Sequence, residues 1–179
     1  STLKVDTILK RTGTGTITLG QSGDTIDLSN PTSVTLNSTM KNRPALLVTN
    51  SGNQSIGNAS NTLVTFDTET LDTNSAFASN VFTVPSGEGG MYFISFRGAM
   101  QGIDAGEFIQ LRIYLNGSAV DFFENRMTAY TTDVEFKFSG SGALNLSAAD
   151  TISYYVYQNS GDSQNLTNAG LYMFKLIGA

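Results

Sequence analysis

Apolar and polar residues alternate along much of the chain, a pattern typical of β-strands with one buried face. The clearest run is 108–115, where one face carries four aliphatic residues: Ile109, Leu111, Ile113 and Leu115. Gln110 and Arg112 fall on the opposite face. Two more runs share this period, with apolar faces formed by Ile152, Tyr154 and Val156 and by Val134, Phe136 and Phe138. Because no stretch keeps a helical period over three turns, the sequence predicts an all-β protein.

From residue 43 to residue 179 the pattern predicts one domain of short strands. We expect them at 45–50, 63–68, 81–84, 90–99, 108–115, 119–124, 132–138, 143–146, 151–158 and 170–177. Turn-forming sequences separate the strands, among them Asn116-Gly117 and the Ser-Gly-Ser-Gly run at 139–142. Strands that each have one apolar face predict two antiparallel sheets packed face to face.

Residues 1–42 have a different rhythm and are predicted to form a separate arm. Three short runs share one form, TITL at 16–19, TIDL at 25–28 and SVTL at 33–36. A single copy of such an arm cannot bury its apolar face. We therefore expect three copies to wind about a common axis, hiding Ile17, Leu19, Ile26, Leu28, Val34 and Leu36. The alternating opening run is a candidate docking strand through Leu3, Val5 and Ile8. The alternative is a flexible tail rich in Thr, Gly and Ser.

Composition removes several classes of function. The chain of 179 residues has no Cys, no His and no Trp, which excludes disulfides, Ser-His-Asp and Cys-His catalysis and cysteine-based zinc sites. The net charge is -5 without a basic stripe, so nucleic-acid binding is not expected. No apolar stretch approaches the roughly 20 residues of a membrane-spanning helix. The absence of cysteine and of a signal-like opening favours assembly in a reducing cytoplasm.

The opening residues resemble those of phage structural proteins. STLKVDTIL at 1–9 and GTITLG at 15–20 are similar to the start of tail-fibre and other structural proteins of marine bacteriophages. The resemblance implies attachment to a capsid or tail component through the N-terminus. We accordingly expect the protein at the virion surface.

The order of motifs in the second domain resembles the C1q-like and tumour-necrosis-factor-like jelly rolls. The motifs are LVTF at 63–66, NVFTVP at 80–85, GGMYFISF at 89–96, LRIYLNG at 111–117, LNLSAADTI at 144–152 and AGLYMFKL at 169–176. The resemblance implies an antiparallel jelly-roll sandwich that forms a homotrimer about a threefold axis. Two departures are Ala149, where the family usually has Gly, and the longer turn at 86–88.

The tyrosines offer separate support for a trimer. Five of them lie opposite their strands' aliphatic residues or on strands that are apolar on both sides: Tyr92, Tyr114, Tyr155, Tyr157 and Tyr172. Tyrosine suits a second, partly polar buried face such as a subunit interface. The alternative is that these side chains cap a wide core.

Few residues suggest a ligand site. Carboxylates cluster at 67–72 and 104–107, where Asp104 and Glu107 are candidate calcium ligands; the resemblance also implies calcium near the trimer apex. The same carboxylates suit a hydrolase pair or simply solvated loops. A polar loop before the last strand offers amides and a carboxylate to a host-surface glycan, through Asp162, Gln164, Asn165 and Asn168, with Tyr155 or Tyr157 as a stacking face. A solvated turn would explain that loop equally.

The sequence thus favours a non-enzymatic virion protein, a homotrimeric surface decoration or a short fibre knob without a cofactor. One alternative is an adhesin that binds a host receptor or glycan. The other is a polysaccharide-degrading enzyme, which would need two carboxylates facing each other across a groove.

Overall fold

The computed structural model describes residues 44–176, and these residues form a two-sheet sandwich. Within this segment there is no α-helix, and so no helix long and apolar enough to cross a membrane. The predicted all-β class is confirmed. The predicted arm at 1–42, with its nine apolar anchoring positions, lies outside the described residues and stays a prediction.

Thirteen strands and one 3-10 turn make up the described segment. The first seven strands are β1 (Ala45–Thr49), β2 (Gln54–Ile56), β3 (Thr62–Leu63), β4 (Thr68–Asp72), β5 (Phe77–Ala78), β6 (Val81–Thr83) and β7 (Gly90–Ile103). The others are β8 (Phe108–Leu115), β9 (Ser118–Ala119), β10 (Asn125–Thr128), β11 (Val134–Leu146), β12 (Thr151–Gln158) and β13 (Gln164–Lys175), with the 3-10 turn at Asp121–Phe123.

The strands divide into two antiparallel sheets. Sheet 1 has the order β11-β7-β13-β1-β4, and β2 pairs with β13. Sheet 2 has the order β10-β8-β12-β6-β5, while β3 pairs with β12 and β9 with β8. Most neighbours in each sheet are distant in sequence, so the chain passes repeatedly between the two sheets. This connectivity is that of a jelly roll.

The core lies between the sheets and contains the predicted apolar faces. Three of the aliphatic residues of β8 and all three predicted residues of β12 are fully buried: Ile109, Leu111, Ile113, Ile152, Tyr154 and Val156. Phe138 of β11 is also buried, whereas Val134, Phe136 and Leu115 pack partly buried against the core. The alternation therefore identified the inward faces of these strands correctly.

The serine and glycine run at 139–142 is not a turn, and that prediction was wrong. β11 continues straight through it as one strand. A Cβ at Gly140 would lie 2.4 Å from Cζ of Phe96, so a glycine is needed there to leave space for the ring. A Cβ at Gly142 would lie 2.6 Å from Cε1 of Phe122. The glycines make room for aromatic rings and do not turn the chain.

Other predicted elements differ as well. The expected strand at 63–68 is not formed, because β3 ends at Leu63 and β4 begins at Thr68. The expected strand at 119–124 is instead the short β9 followed by the 3-10 turn, which places Phe123 in the core and leaves Phe122 exposed. The last strand begins at Gln164, six residues before its predicted start, and has a register shift between Thr167 and Gly170. Asn168 sits in this irregularity with a φ of 53°.

Tyr92 belongs to the core, so its assignment to a subunit interface was wrong. It is fully buried, its ring lies 6.0 Å from that of Phe82, and its hydroxyl donates a hydrogen bond of 2.7 Å to the Glu88 carbonyl. Burial and the nearby Glu88 carboxylate raise the pKa of Tyr92 well above its ordinary value.

Candidate functional site: the outer face of sheet 1

Sheet 1 turns an apolar patch away from the core. In β1, Leu46 and Val48 are buried, so Leu47 between them lies on the outer face. The register places Leu47 opposite Leu71 of β4 and Tyr172 of β13. By the same alternation we define the apolar patch as Leu47, Leu71, Met91, Phe93, Tyr172 and Phe174.

Ring contacts link members of the patch to one another and to Arg97. The rings of Phe93 and Phe174 lie 5.3 Å apart, and the Arg97 guanidinium lies 5.7 Å from the centre of the Tyr172 ring. Leu71 is 44% exposed. The other five patch side chains are half-buried. Apolar side chains grouped in this way on an outer sheet face are a candidate interaction surface.

Small residues continue the same face towards β11. Ser95 is opposite Tyr172, Ser141 is opposite Ser95, and Ala143 is opposite Phe93. Their short side chains leave this part of the sheet flat. Another backbone can therefore approach sheet 1 closely here.

A second exposed apolar feature lies at the β11 edge. Phe122 is 73% exposed and packs edge-on against the Phe123 ring at 5.3 Å. Its ring lies against β11, where Gly142 has no Cβ to obstruct it. Since β11 is the last strand of sheet 1 on this side, Phe122 projects at the boundary of the sandwich.

The opposite end of the sheet 1 face is polar. A cavity of about 370 Å³ is lined there by Asn53, Gln101, Gly102, Asp133, Glu135, Gln164, Asn165 and Thr167. A neighbouring cavity of about 360 Å³ contains Arg97, Lys137 and Asn168. The face is therefore apolar at one end of its strands and hydrophilic at the other.

The predicted ligand loop is divided by the structure. Gln164 and Asn165 line the first cavity, Asn168 lines the second, and all three belong to β13 and not to a loop. Asp162 lies in the preceding turn, where its carbonyl accepts a 2.8 Å hydrogen bond from the Gln158 side chain. The sequence pattern did not indicate Gln101, because only strand pairing brings it beside Gln164.

The predicted stacking tyrosines lie on the other side of the sandwich. Tyr155 and Tyr157 alternate with the buried residues of β12 and so occupy the outer face of sheet 2. Tyr114 contacts Tyr155 there, at 4.2 Å between ring centres. A combined site of these rings with Gln164 and Asn165 is therefore not formed. Among the five tyrosines, Tyr172 alone lies on the outer face of sheet 1.

Arg112 organises the outer face of sheet 2. Its guanidinium donates hydrogen bonds to Gln110 at 2.7 Å and to Asn61 at 2.9 Å. Its Nε lies 3.4 Å from a Glu124 carboxylate oxygen, an ion pair without hydrogen-bond geometry. The Arg112 side chain also lies over the Tyr157 ring at 5.8 Å. The polar side chains of this face therefore bind one another.

The two carboxylate clusters support local backbone structure. Hydrogen bonds from the Ser51 backbone N–H and hydroxyl lower the pKa of Asp67. Asp104 accepts a hydrogen bond from the Asp133 N–H, and Glu107 accepts one from the Asp104 N–H, both at 2.7 Å. Nowhere in residues 44–176 do three acidic side chains gather as a metal site would require. Calcium at Asp104 and Glu107 gains no support from this arrangement.

Comparisons with known proteins identify the fold. No protein-family model matches the chain, and no curated protein matches it. Solved structures do match, among them the globular domain of the zebrafish complement 1qA protein. It is 19% identical, with a TM-score of 0.58, over 75% of this chain and 98% of that domain. At this identity the likeness concerns architecture alone, and the chain has the C1q-like jelly-roll fold that its motif order predicted.

Proposed function

We propose that this protein is a non-enzymatic virion structural protein with a homotrimeric jelly-roll head. The head would decorate the virion surface or form a short fibre knob, and the arm at 1–42 would attach it to a capsid or tail component. The apolar patch carries the trimer proposal, because a lone head leaves Leu71 44% exposed and the other five side chains only half-buried. The phage-like opening residues support the virion role.

A trimer requires two different surfaces on each subunit. In a cyclic trimer the interface is heterologous, so one surface of a subunit meets another surface of its neighbour. The apolar patch supplies the first surface. Phe122 at the β11 edge supplies the second, because it is large, apolar and 73% exposed. Three head-to-tail contacts of this kind close a ring.

Two matched substitutions test the interface. Leu47→Asp puts a charge in the apolar patch, whereas Leu63→Asp puts the same charge on a half-buried leucine that pairs with Tyr155 in sheet 2. We expect Leu47→Asp to yield folded monomers and Leu63→Asp to remain trimeric, as measured by light scattering on the head fragment 43–179, because the arm is itself expected to join three chains. A Leu47→Asp protein that stays trimeric would rule out this face.

A separate pair of variants tests the arm. Replacing Leu19 and Leu28 by Asp should leave the head folded and abolish attachment to particles. Thr18→Asp, on the polar face of the same repeat, should attach normally. If particles were still decorated by the double variant, the anchoring role would be wrong.

New reducing ends after incubation with host polysaccharide would contradict the non-enzymatic assignment.

A further inference from the structure

We infer that the polar cavity of sheet 1 is a binding site for a neutral saccharide, a function that the proposed structural role does not require. Its volume of about 370 Å³ falls within the roughly 300–1,000 Å³ of small-ligand sites. Its walls are built mainly from strands, with Gln101 on β7, Glu135 on β11 and Gln164 on β13. Side chains on paired strands hold a fixed arrangement better than side chains on loops do.

The amides of the cavity are free to bind. The side chains of Asn53, Gln101, Gln164 and Asn165 make no hydrogen bond to any other residue in the described part of the chain, in contrast to the amides of Gln110 and Gln158. An amide presents both a donor and an acceptor. A sugar hydroxyl also donates and accepts, so neighbouring hydroxyls can each pair with one amide.

The charges of the lining select against other ligands. Asp133 and Glu135 are the charged residues of the wall, and both accept hydrogen bonds when ionised. This wall contains no lysine or arginine, and the nearby Lys137 ammonium is paired with Glu135 at 3.5 Å, so phosphate and acidic sugars meet the Asp133 carboxylate without a free cation in the wall to bind them. The polar surface equally disfavours an apolar ligand. A neutral, hydroxyl-rich molecule is neither repelled by the carboxylates nor mismatched to the polar surface.

Gly102 positions the central amide. It has a φ of +74°, and a Cβ added there would lie 2.6 Å from Oε1 of Gln164. The Gln164 side chain therefore rests directly against the backbone of the neighbouring strand. Gly102→Ala would strain the backbone at this φ and displace Gln164, while every polar group of the wall is retained, which makes it a test of positioning.

Saturation-transfer NMR on the full chain tests the site. The probes are free glucose, galactose, mannose and N-acetylglucosamine, with glucuronic acid and sialic acid as the acidic arm. We expect one or more neutral sugars to bind, and Gln164→Ala to weaken that binding about tenfold, as for two lost hydrogen bonds. Asn74→Ala, which removes an exposed amide from the turn after β4, should bind as the wild type does.

Three results would overturn the inference: no neutral sugar bound, only acidic sugars bound, or binding that survives both Gln164→Ala and Gln101→Ala. Light scattering on the same samples separates this inference from the proposed function. A monomer that binds sugar would refute the trimer and keep the site. A trimer that binds none, including one whose subunits cover the cavity, would refute the site alone.

Discussion

Removing one hydroxyl group from the core should stabilise this protein. The Tyr154 side chain is fully buried between the sheets, and its hydroxyl has no hydrogen-bond partner among residues 44–176. Burial raises the pKa of this hydroxyl far above its ordinary value, so it stays neutral. Tyr154→Phe keeps the ring, which packs against Phe96 at 5.3 Å, and removes only the unpaired oxygen.

The magnitude follows from the cost of an unsatisfied polar group. Burying a hydroxyl without a partner costs about 1–3 kcal/mol, which the substitution recovers. The small void left behind reduces this gain by a few tenths of a kcal/mol at ~24 cal/mol per Å³. We expect a net increase in the free energy of unfolding of about 1–2 kcal/mol per chain. For a chain of this length the melting temperature should rise by about 2–4 °C per kcal/mol.

Tyr92→Phe is the matched control, because the same change there should have the opposite sign. The Tyr92 hydroxyl donates to the Glu88 carbonyl, so its removal should destabilise the protein by about 0.5–1.5 kcal/mol. Urea denaturation of both variants at one protein concentration measures the two effects. If Tyr154→Phe were destabilising by the same amount as Tyr92→Phe, the Tyr154 hydroxyl would have a partner and the argument would fail.

Three further substitutions test local features. Ala149 has a φ of 70°, so Ala149→Gly should raise the free energy of unfolding by up to about 1 kcal/mol, and a loss measured by urea denaturation would argue against strain there. Gly140→Ala should cost about 1–3 kcal/mol in the same assay because of the close approach of Phe96, and a neutral effect would show that the ring can move. A hydrogen bond from the Asn116 amide and one from a backbone N–H lower the pKa of Asp150 from its ordinary 3.8. Above pH 3.8 the ionised Asp150 therefore contributes its full stabilisation, which is lost as the pH falls through its lower folded pKa. Asp150→Asn should flatten the acid limb of the stability profile, and an unchanged limb would contradict this.

Strand alternation predicted the parts of the fold that have one clearly apolar face. It placed β8 and β12 correctly, because their polar and apolar residues segregate over eight residues. It failed at 139–142, since glycine normally marks a turn and only the packed structure shows the rings that need the space. It also missed the first half of β13, where both the polar cavity and the irregularity at Asn168 break the alternation.

The candidate surfaces were harder to predict for a related reason. β1, β7 and β13 carry apolar residues on both faces, so sequence alone does not tell which side meets the core. Tyr92 shows the consequence, because it lies beside Phe93 in sequence yet faces the other way. The cavity joins residues more than 60 positions apart, such as Gln101 and Gln164, and only strand pairing brings them together.

The mass of the 179-residue chain in dilute solution tests the central claim most directly. If neighbouring subunits cover the apolar patch and the exposed Phe122, as we propose, sedimentation velocity should give three times the 19.1 kDa chain mass over a wide concentration range. Dilution should not release a stable folded monomer. A single folded chain of 19.1 kDa at micromolar concentration would contradict the account.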